Sequence, residues 1–141
     1  MLFLAASARA DDWAERAKLD GTWQSSTEGK DAGSVWTLQD KDTTMLVTET
    51  RNGEKLLEID CNTEGKECTG KRSGKTVKVT LYYSGPGLVE IETRGSEVVR
   101  RRFDASGAGG TLRIDTTPMS PPGKAETIEL KRLTATAAAA R

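Results

Sequence analysis

The chain is predicted to be all-β, an up-and-down antiparallel barrel of eight or nine strands preceded by a short N-terminal helix. Three observations predict this. Apolar and polar residues alternate in short runs, the period of two that a half-buried strand requires. Gly, Asn, Asp or Pro closes each run, so neighbouring strands are joined by short turns and lie antiparallel. Aromatic residues make up only 5% of the 141 and charged residues 30%, which suits a thin core of Val, Leu and Ile. An open sheet of this many strands closes to remove its edges, and the length fits one domain.

In order along the chain, residues 1–10 read as the remnant of a signal peptide. Residues 2–6 are apolar, and Ala8-Arg9-Ala10 puts small residues where a signal peptidase reads, so the mature chain is expected to begin at Asp11. No positive n-region is present, which places the expected start codon upstream of Met1; a frayed N-terminal helix is the alternative. The apolar run is too short to span a bilayer. Residues 11–133 form the single barrel domain. Asp11 to Leu19 has Trp13 and Ala17 at helical spacing, acids in its first turn and Lys18 late, as the helix dipole favours. This short helix is expected to act as a lid. Strands follow at Leu19 to Trp23, 33–40, 43–50 and 54–60, separated by Glu28-Gly29-Lys30, Asp40-Lys41-Asp42 and Arg51-Asn52-Gly53-Glu54, the last a strong hairpin signal.

Thr76 to Phe103 writes three consecutive strands. Val77, Val79, Leu81 and Tyr83 share one face, Ser84-Gly85-Pro86-Gly87 turns the chain, and Val89, Ile91 and Thr93 alternate next. Beyond Gly95-Ser96, Val99, Arg101 and Phe103 face one way and Val98, Arg100 and Arg102 the other. A Gly-rich turn at 106–110, a strand from Thr111 to Thr117, a Pro-rich loop from Pro118 to Gly123 and a last strand ending at Leu133 complete the domain. Residues 134–141, TATAAAAR, are a low-complexity tail.

Lys+Arg and Asp+Glu both number 21, and there is no His. No global field draws the protein to nucleic acid or an anionic membrane, and neither a nucleic-acid partner nor stable membrane insertion is expected. The lack of His removes Ser-His-Asp and Cys-His nucleophile systems, His zinc sites and the usual neutral-pH switch. A non-enzyme without cofactor or metal is expected; an acid–base enzyme built on Glu and Asp remains the third alternative.

Cys61 and Cys68 flank a polar turn. In an exported protein this pair is expected to form a disulfide, with the two Cα atoms within about 7 Å; in the cytosol they would be free thiols. Asp60, Asn62, Glu64 and Gly65 imitate the start of a calcium loop, but Lys71 stands where the motif needs a bidentate Glu. Gly70 to Thr76 imitates a P-loop with one residue too few between its glycines, and a strand follows where a helix is required. It reads as a solvated basic hairpin tip. Arg100 and Arg102 are expected to pair with Glu90 and Glu92 on the outer surface.

Arg101 is left over. With an odd-length turn near Gly95 it shares the interior face with Val89, Ile91, Val99 and Phe103, and must there meet a carboxylate, carbonyls, water or a bound anion such as a fatty-acid head group. A register slipped by one residue would send it to solvent. Arg101, Val99, Phe103, Trp36 and Tyr83 are the expected ligand-binding residues.

Gly21-Thr22-Trp23, opening the first strand after a short helix, is similar to the Gly-x-Trp signature of lipocalins and their calycin relatives. The Thr-Asp-Tyr motif of the core family is absent, and the chain looks closer to small exported bacterial lipocalin-like proteins of unassigned function. The resemblance implies a barrel with a hollow for small apolar molecules, in which Trp23 closes one end and Arg132 packs across it. Gly21, Trp23 and Arg132 are thus structural candidates; Trp23 in the core with a solvated Arg132 is the competing reading. The expected function is that of an exported carrier or sensor, periplasmic or secreted, that binds a small lipophilic molecule, acidic ones included. A ligand-free structural or interaction module of the envelope is the alternative. Oligomeric state and ligand identity stay open.

Overall fold

Every strand of the barrel except one can be traced to an alternating run in the sequence. The computed structural model describes residues 13–25, 33–106 and 109–133. The expected leader, the start at Asp11, the turn at 28–30 and the tail at 134–141 lie outside those residues. A single turn of helix at 13–17 (α1) leads into ten strands. These are β1 (Gly21–Ser25), β2 (Ser34–Asp40), β3 (Thr44–Arg51), β4 (Glu54–Asn62), β5 (Cys68–Arg72), β6 (Lys75–Ser84), β7 (Gly87–Arg94), β8 (Glu97–Ser106), β9 (Thr111–Ser120) and β10 (Glu126–Arg132). Each pairs antiparallel with its sequence neighbour, and β1 pairs with β10 to close the barrel. The architecture is the up-and-down barrel the alternation predicts, with ten strands rather than eight or nine.

The additional strand is β5. Its one buried residue is Gly70, which pairs with Ile59 on one side and Val77 on the other. A Cβ there would lie 3.0 Å from both the Glu58 carbonyl oxygen and Ile59 Cγ1, so any side chain would push its neighbours aside. With glycine at its one buried position, β5 carries no apolar alternation to read.

Asn52 and Gly53 both take positive φ, 54° and 81°, the left-handed pair that a tight hairpin needs. Ser73 and Gly74 do the same at 51° and 83°, making the basic segment before Thr76 a hairpin tip. The run after Thr117 is not a loop. β9 continues to Ser120, Pro118 faces Val99, and a bulge between Val98 and Val99 accommodates the residue that cannot donate a ladder bond.

The β7–β8 register corrects the sequence reading. Gly95 and Ser96 form a two-residue turn between paired Arg94 and Glu97, so Glu90 faces Arg101, Glu92 faces Val99 and Leu88 faces Phe103. These are the inward pairs. Val89 lies on the outer face, fully covered but outside the core cluster, between its cross-strand partners Tyr82 and Arg102. An apolar residue buried on the outside is what made the opposite register plausible. The core is built from Leu38, Val47, Ile59, Val79, Leu81, Leu88, Phe103, Leu112 and Leu130, with Trp23 and Leu19 at one end.

Candidate functional site

The two ends of the barrel are built differently. At the end carrying α1, the β6–β7 turn and the β8–β9 turn, Leu19 and Trp23 are fully buried. Trp23 Nε1 donates to the Leu19 carbonyl at 3.1 Å. The Arg132 guanidinium lies over the indole, 4.2 Å from its centroid. From there it donates to the carbonyls of Gly109, Asp20 and Lys18 at 2.8, 2.9 and 2.8 Å. A side chain at Gly21 would collide with Arg132 Nη1, which accounts for the glycine two residues before Trp23. α1 is held by Arg16, which donates to the Gly85 carbonyl at 2.8 Å and lies 4.5 Å above the Tyr83 ring. Tyr83 therefore belongs to this end, under the helix. Burial, against a weaker pull from Arg16, keeps its phenol protonated beyond the usual tyrosine range.

Toward the opposite end the interior becomes ionic. Arg101 Nη1 donates to Glu90 Oε1 and to Glu92 Oε1, both at 3.0 Å. Arg72 holds Glu92 in a fork, Nε to Oε2 at 2.6 Å and Nη2 to Oε1 at 3.0 Å. Glu90 has no exposed side-chain surface and Arg101 only 13%. Burial pushes the Glu90 carboxyl above the usual range despite Arg101 beside it. Burial acts the same way on Glu92, but the bonds and charge of Arg72, with those of Arg101, outweigh it and hold Glu92 below that range. Burial disfavours the Arg101 cation, and the two carboxylates more than reverse this, holding it above the usual arginine value.

Beside this cluster lies a cavity of about 190 Å³. Trp36, Ile114 and Ile128 give it apolar walls, and Arg101, Arg72, Glu49, Thr116 and Glu126 its polar ones. Among the described residues, Trp36 Nε1 and Glu90 Oε2 are buried without a hydrogen-bond partner. Phe103 packs edge-on against Trp36, with ring centroids 5.6 Å apart. Of the five expected ligand-binding residues, Arg101 and Trp36 line the cavity, Phe103 supports Trp36, and Val99 is a half-buried neighbour facing Glu92. Tyr83 lies at the other end. Glu49, Arg72 and Glu126 went unrecognised because each looks like a solvated charge on an alternating strand. Two larger hollows, each about 360 Å³, lie among hairpin residues, around Lys55 to Glu58 and around Thr93 to Gly95.

The remaining motifs resolve into structural contacts. Cys61 and Cys68 are disulfide-bonded with Cα atoms 6.0 Å apart, tying β4 to β5. Asp60 pairs with Lys41 at 2.8 Å, and Asn62 Oδ1 accepts from the Glu64 amide at 2.9 Å. Lys71 Nζ donates to Thr76 Oγ1 at 3.0 Å across the hairpin. The outer-surface pairing of Arg102 with Glu90 or Glu92 is overturned by the register: Arg102 bonds Asp104 at 2.9 Å and the Ser84 carbonyl at 2.9 Å. Arg100 sits opposite Ile91 and Thr117.

A closed up-and-down barrel with a Trp and an Arg sealing its helical end has a lipocalin-like fold. Two secretory abundant heat soluble proteins of Ramazzottius varieornatus share it. One superposes with a TM-score of 0.67 at 12% identity, over 82% of this chain and 96% of its own. The other, secretory abundant heat soluble protein 4, gives 0.62 at 17% identity, over 82% and 95%. At these identities the likeness concerns the fold alone. No family model and no curated protein matches the chain.

Proposed function

We propose that the protein is a non-enzymatic binding barrel, exported as a carrier or sensor, that holds a small molecule in the cavity beside Arg101 and Trp36. The observation that carries this reading is a cavity toward the end opposite α1 that Arg101, Trp36, Ile114 and Ile128 line together. Its apolar Ile114 and Ile128 suit the apolar part of a small ligand. At about 190 Å³, against roughly 300–1,000 Å³ for drug-sized sites, the cavity suits something smaller than a long-chain lipid. Catalysis is disfavoured because Glu90, whose carboxyl burial pushes above its usual range, sits fully buried behind Arg101 and does not line the cavity.

Export is supported by the disulfide between Cys61 and Cys68, and no described helix is long and apolar enough to cross a membrane. The second reading, a ligand-free structural module, is favoured by the tightly filled helical half, where Leu19, Trp23, Leu81 and Leu88 have no exposure. Native mass spectrometry of the protein purified from its own host tests the two. A retained small-molecule mass, lost on unfolding, is expected; a clean apoprotein mass across preparations would reject the carrier.

A further inference from the structure

The barrel divides into two arcs, β1–β4 and β5–β10, which meet at the β1–β10 and β4–β5 seams. Among the described residues these are its shortest ladders. β4 meets β5 through Leu57–Arg72, Glu58–Lys71 and Ile59–Gly70, extended by the Ser73 amide, which donates to the Leu56 carbonyl at 2.9 Å. We infer that the Cys61–Cys68 disulfide is a redox-sensitive latch on this second seam: a dithiol reductant releases it, and the parted seam admits solvent and small molecules to the cavity beside Arg101. Entry of a ligand by this route rests on the reading of that cavity as a binding site; the latch itself does not.

The cysteines stand two residues beyond the Ile59–Gly70 pair, their Cα atoms 6.0 Å apart. Bonded, they close the ladder through residues 60–61 and 68–69; reduced, the whole of 60–69 must be ordered to close it, at a larger cost in entropy. Little else holds the seam. The segment between the cysteines stays with the second arc, because the Gly65 amide donates to the Leu81 carbonyl at 2.9 Å. Arg72, Glu90, Glu92 and Arg101 also belong to the second arc, and Glu49 and Arg51 to the first, so parting at β4–β5 breaks none of the ion pairs they make with one another. The cavity lies between the arcs, with Trp36 and Glu49 on one side and Arg72, Arg101 and Ile114 on the other. The outer hollow around Lys55 to Glu58 is completed by Lys71, Ser73 and Gly74 across the same seam. Leu57 lines that hollow and its partner Arg72 lines the cavity, which sets one ladder pair between the two spaces.

Cys61 is buried and Cys68 only half-buried, so a thiolate of the reductant attacks Cys68 Sγ. The S–S bond breaks, its electron pair leaves on Cys61 Sγ, and a proton follows. The second thiol of the reductant then displaces Cys68 as a thiol and closes the reductant's own disulfide, two electrons and two protons having passed to the protein.

The test follows hydrogen exchange by NMR in full-length protein labelled with nitrogen-15, before and after dithiothreitol, with the Cys61→Ala/Cys68→Ala double variant as a reductant-free copy of the open latch. Trp36 Nε1–H is buried and makes no hydrogen bond, so burial alone protects it and its exchange reports water reaching the cavity. Trp23 Nε1–H, bonded to the Leu19 carbonyl at the other end, is the internal control. Opening the latch is expected to speed exchange of the amides paired across β4–β5, and of Trp36 Nε1–H, by about tenfold or more, and to leave Trp23 Nε1–H and the β8–β9 ladder as they were. Unchanged exchange across the seam would overturn the latch. Unfolding, or acceleration of all strands with Trp23 Nε1–H included, would make the disulfide a general staple and overturn it equally; if only the double variant fails to fold, the reduced wild type decides. A looser seam with Trp36 Nε1–H still slow would overturn the passage to the cavity. None of these readouts needs a ligand, so a clean apoprotein mass would remove the carrier and leave the latch to be judged on exchange.

Discussion

Arg101 shows how far one residue can be read from its neighbours. An odd arginine between Val99 and Phe103 on an alternating strand points inward, and it is buried, with 13% of its side chain exposed. Its partners were not legible, because Val89 and Ile91 are the more apolar choice for the interior and Glu90 and Glu92 the more polar; the true register inverts both. Only the pairing of Arg94 with Glu97 across a two-residue turn reveals it. Two predictions belong here. Arg101→Met strands Glu90 in the interior, so it should cost about 3–5 kcal/mol in urea unfolding, and adding Glu90→Gln should recover much of that loss. Equal stability of the single variant and wild type would mean that the cluster is not formed. The second concerns pH. Glu90 is held above the ordinary glutamate value of 4.5, so the folded state keeps a proton that the unfolded chain releases. Its contribution is fully present below 4.5 and is lost as pH rises through the folded value. Glu92, held below 4.5, contributes in the opposite sense and loses its contribution only in acid. As pH rises above 4.5 the urea midpoint of wild type should therefore fall, and that of Glu90→Gln should stay flatter. Parallel curves would count against a Glu90 carboxyl raised by burial.

At the scale of elements, strands with two or more inward aliphatic residues announce themselves, and the hairpin at Asn52-Gly53 does so through residues that accept positive φ. β5 does not. It is five residues long, and its one buried position is Gly70, where the absence of a side chain is invisible to any count of apolar periodicity. β9 was shortened at Pro118 because proline argues against a strand interior, which holds except where a bulge removes the need for its amide. Gly70 supplies the test of this account. Gly70→Val adds a branched side chain where even a Cβ would stand 3.0 Å from the Glu58 carbonyl oxygen and Ile59. The β4–β5–β6 packing should loosen at a cost of about 1–3 kcal/mol, seen as a lower thermal midpoint and faster amide exchange in β5. The same change at Gly74, where an added Cβ meets nothing within 4 Å but φ is 83°, should cost stability through backbone strain alone and leave the β4–β5–β6 packing as in wild type.

Across the whole molecule, rigidity and accessibility are segregated to opposite ends of one barrel. The disulfide between Cys61 and Cys68, the Arg16 clasp and the Arg132 seal all lie at the helical end, while the cavity lies toward the other, between the start of β10 and the end of β5. The closure itself is slight: β1 meets β10 through Trp23 and Arg132, Gln24 and Lys131, and Ser25 and Leu130. Arg132 adds what so short a ladder lacks, because one guanidinium joins the carbonyls of Lys18, Asp20 and Gly109 while covering the Trp23 ring. It thus ties the segment before β1 to the turn before β9. Replacing it with alanine leaves those carbonyls at a partly solvated rim where water can take them up, so the cost should be about 2 kcal/mol and not the sum of three charged hydrogen bonds. The diagnostic is where the loss appears. Arg132→Ala should speed amide exchange along β1 and β10 and shift Trp23 emission to the red, while the β3–β4 hairpin stays as in wild type. Uniform loosening of all ten strands would instead mean that the seal supports the barrel as a single cooperative unit, and unchanged exchange at β1 would mean that the backbone ladder closes it unaided.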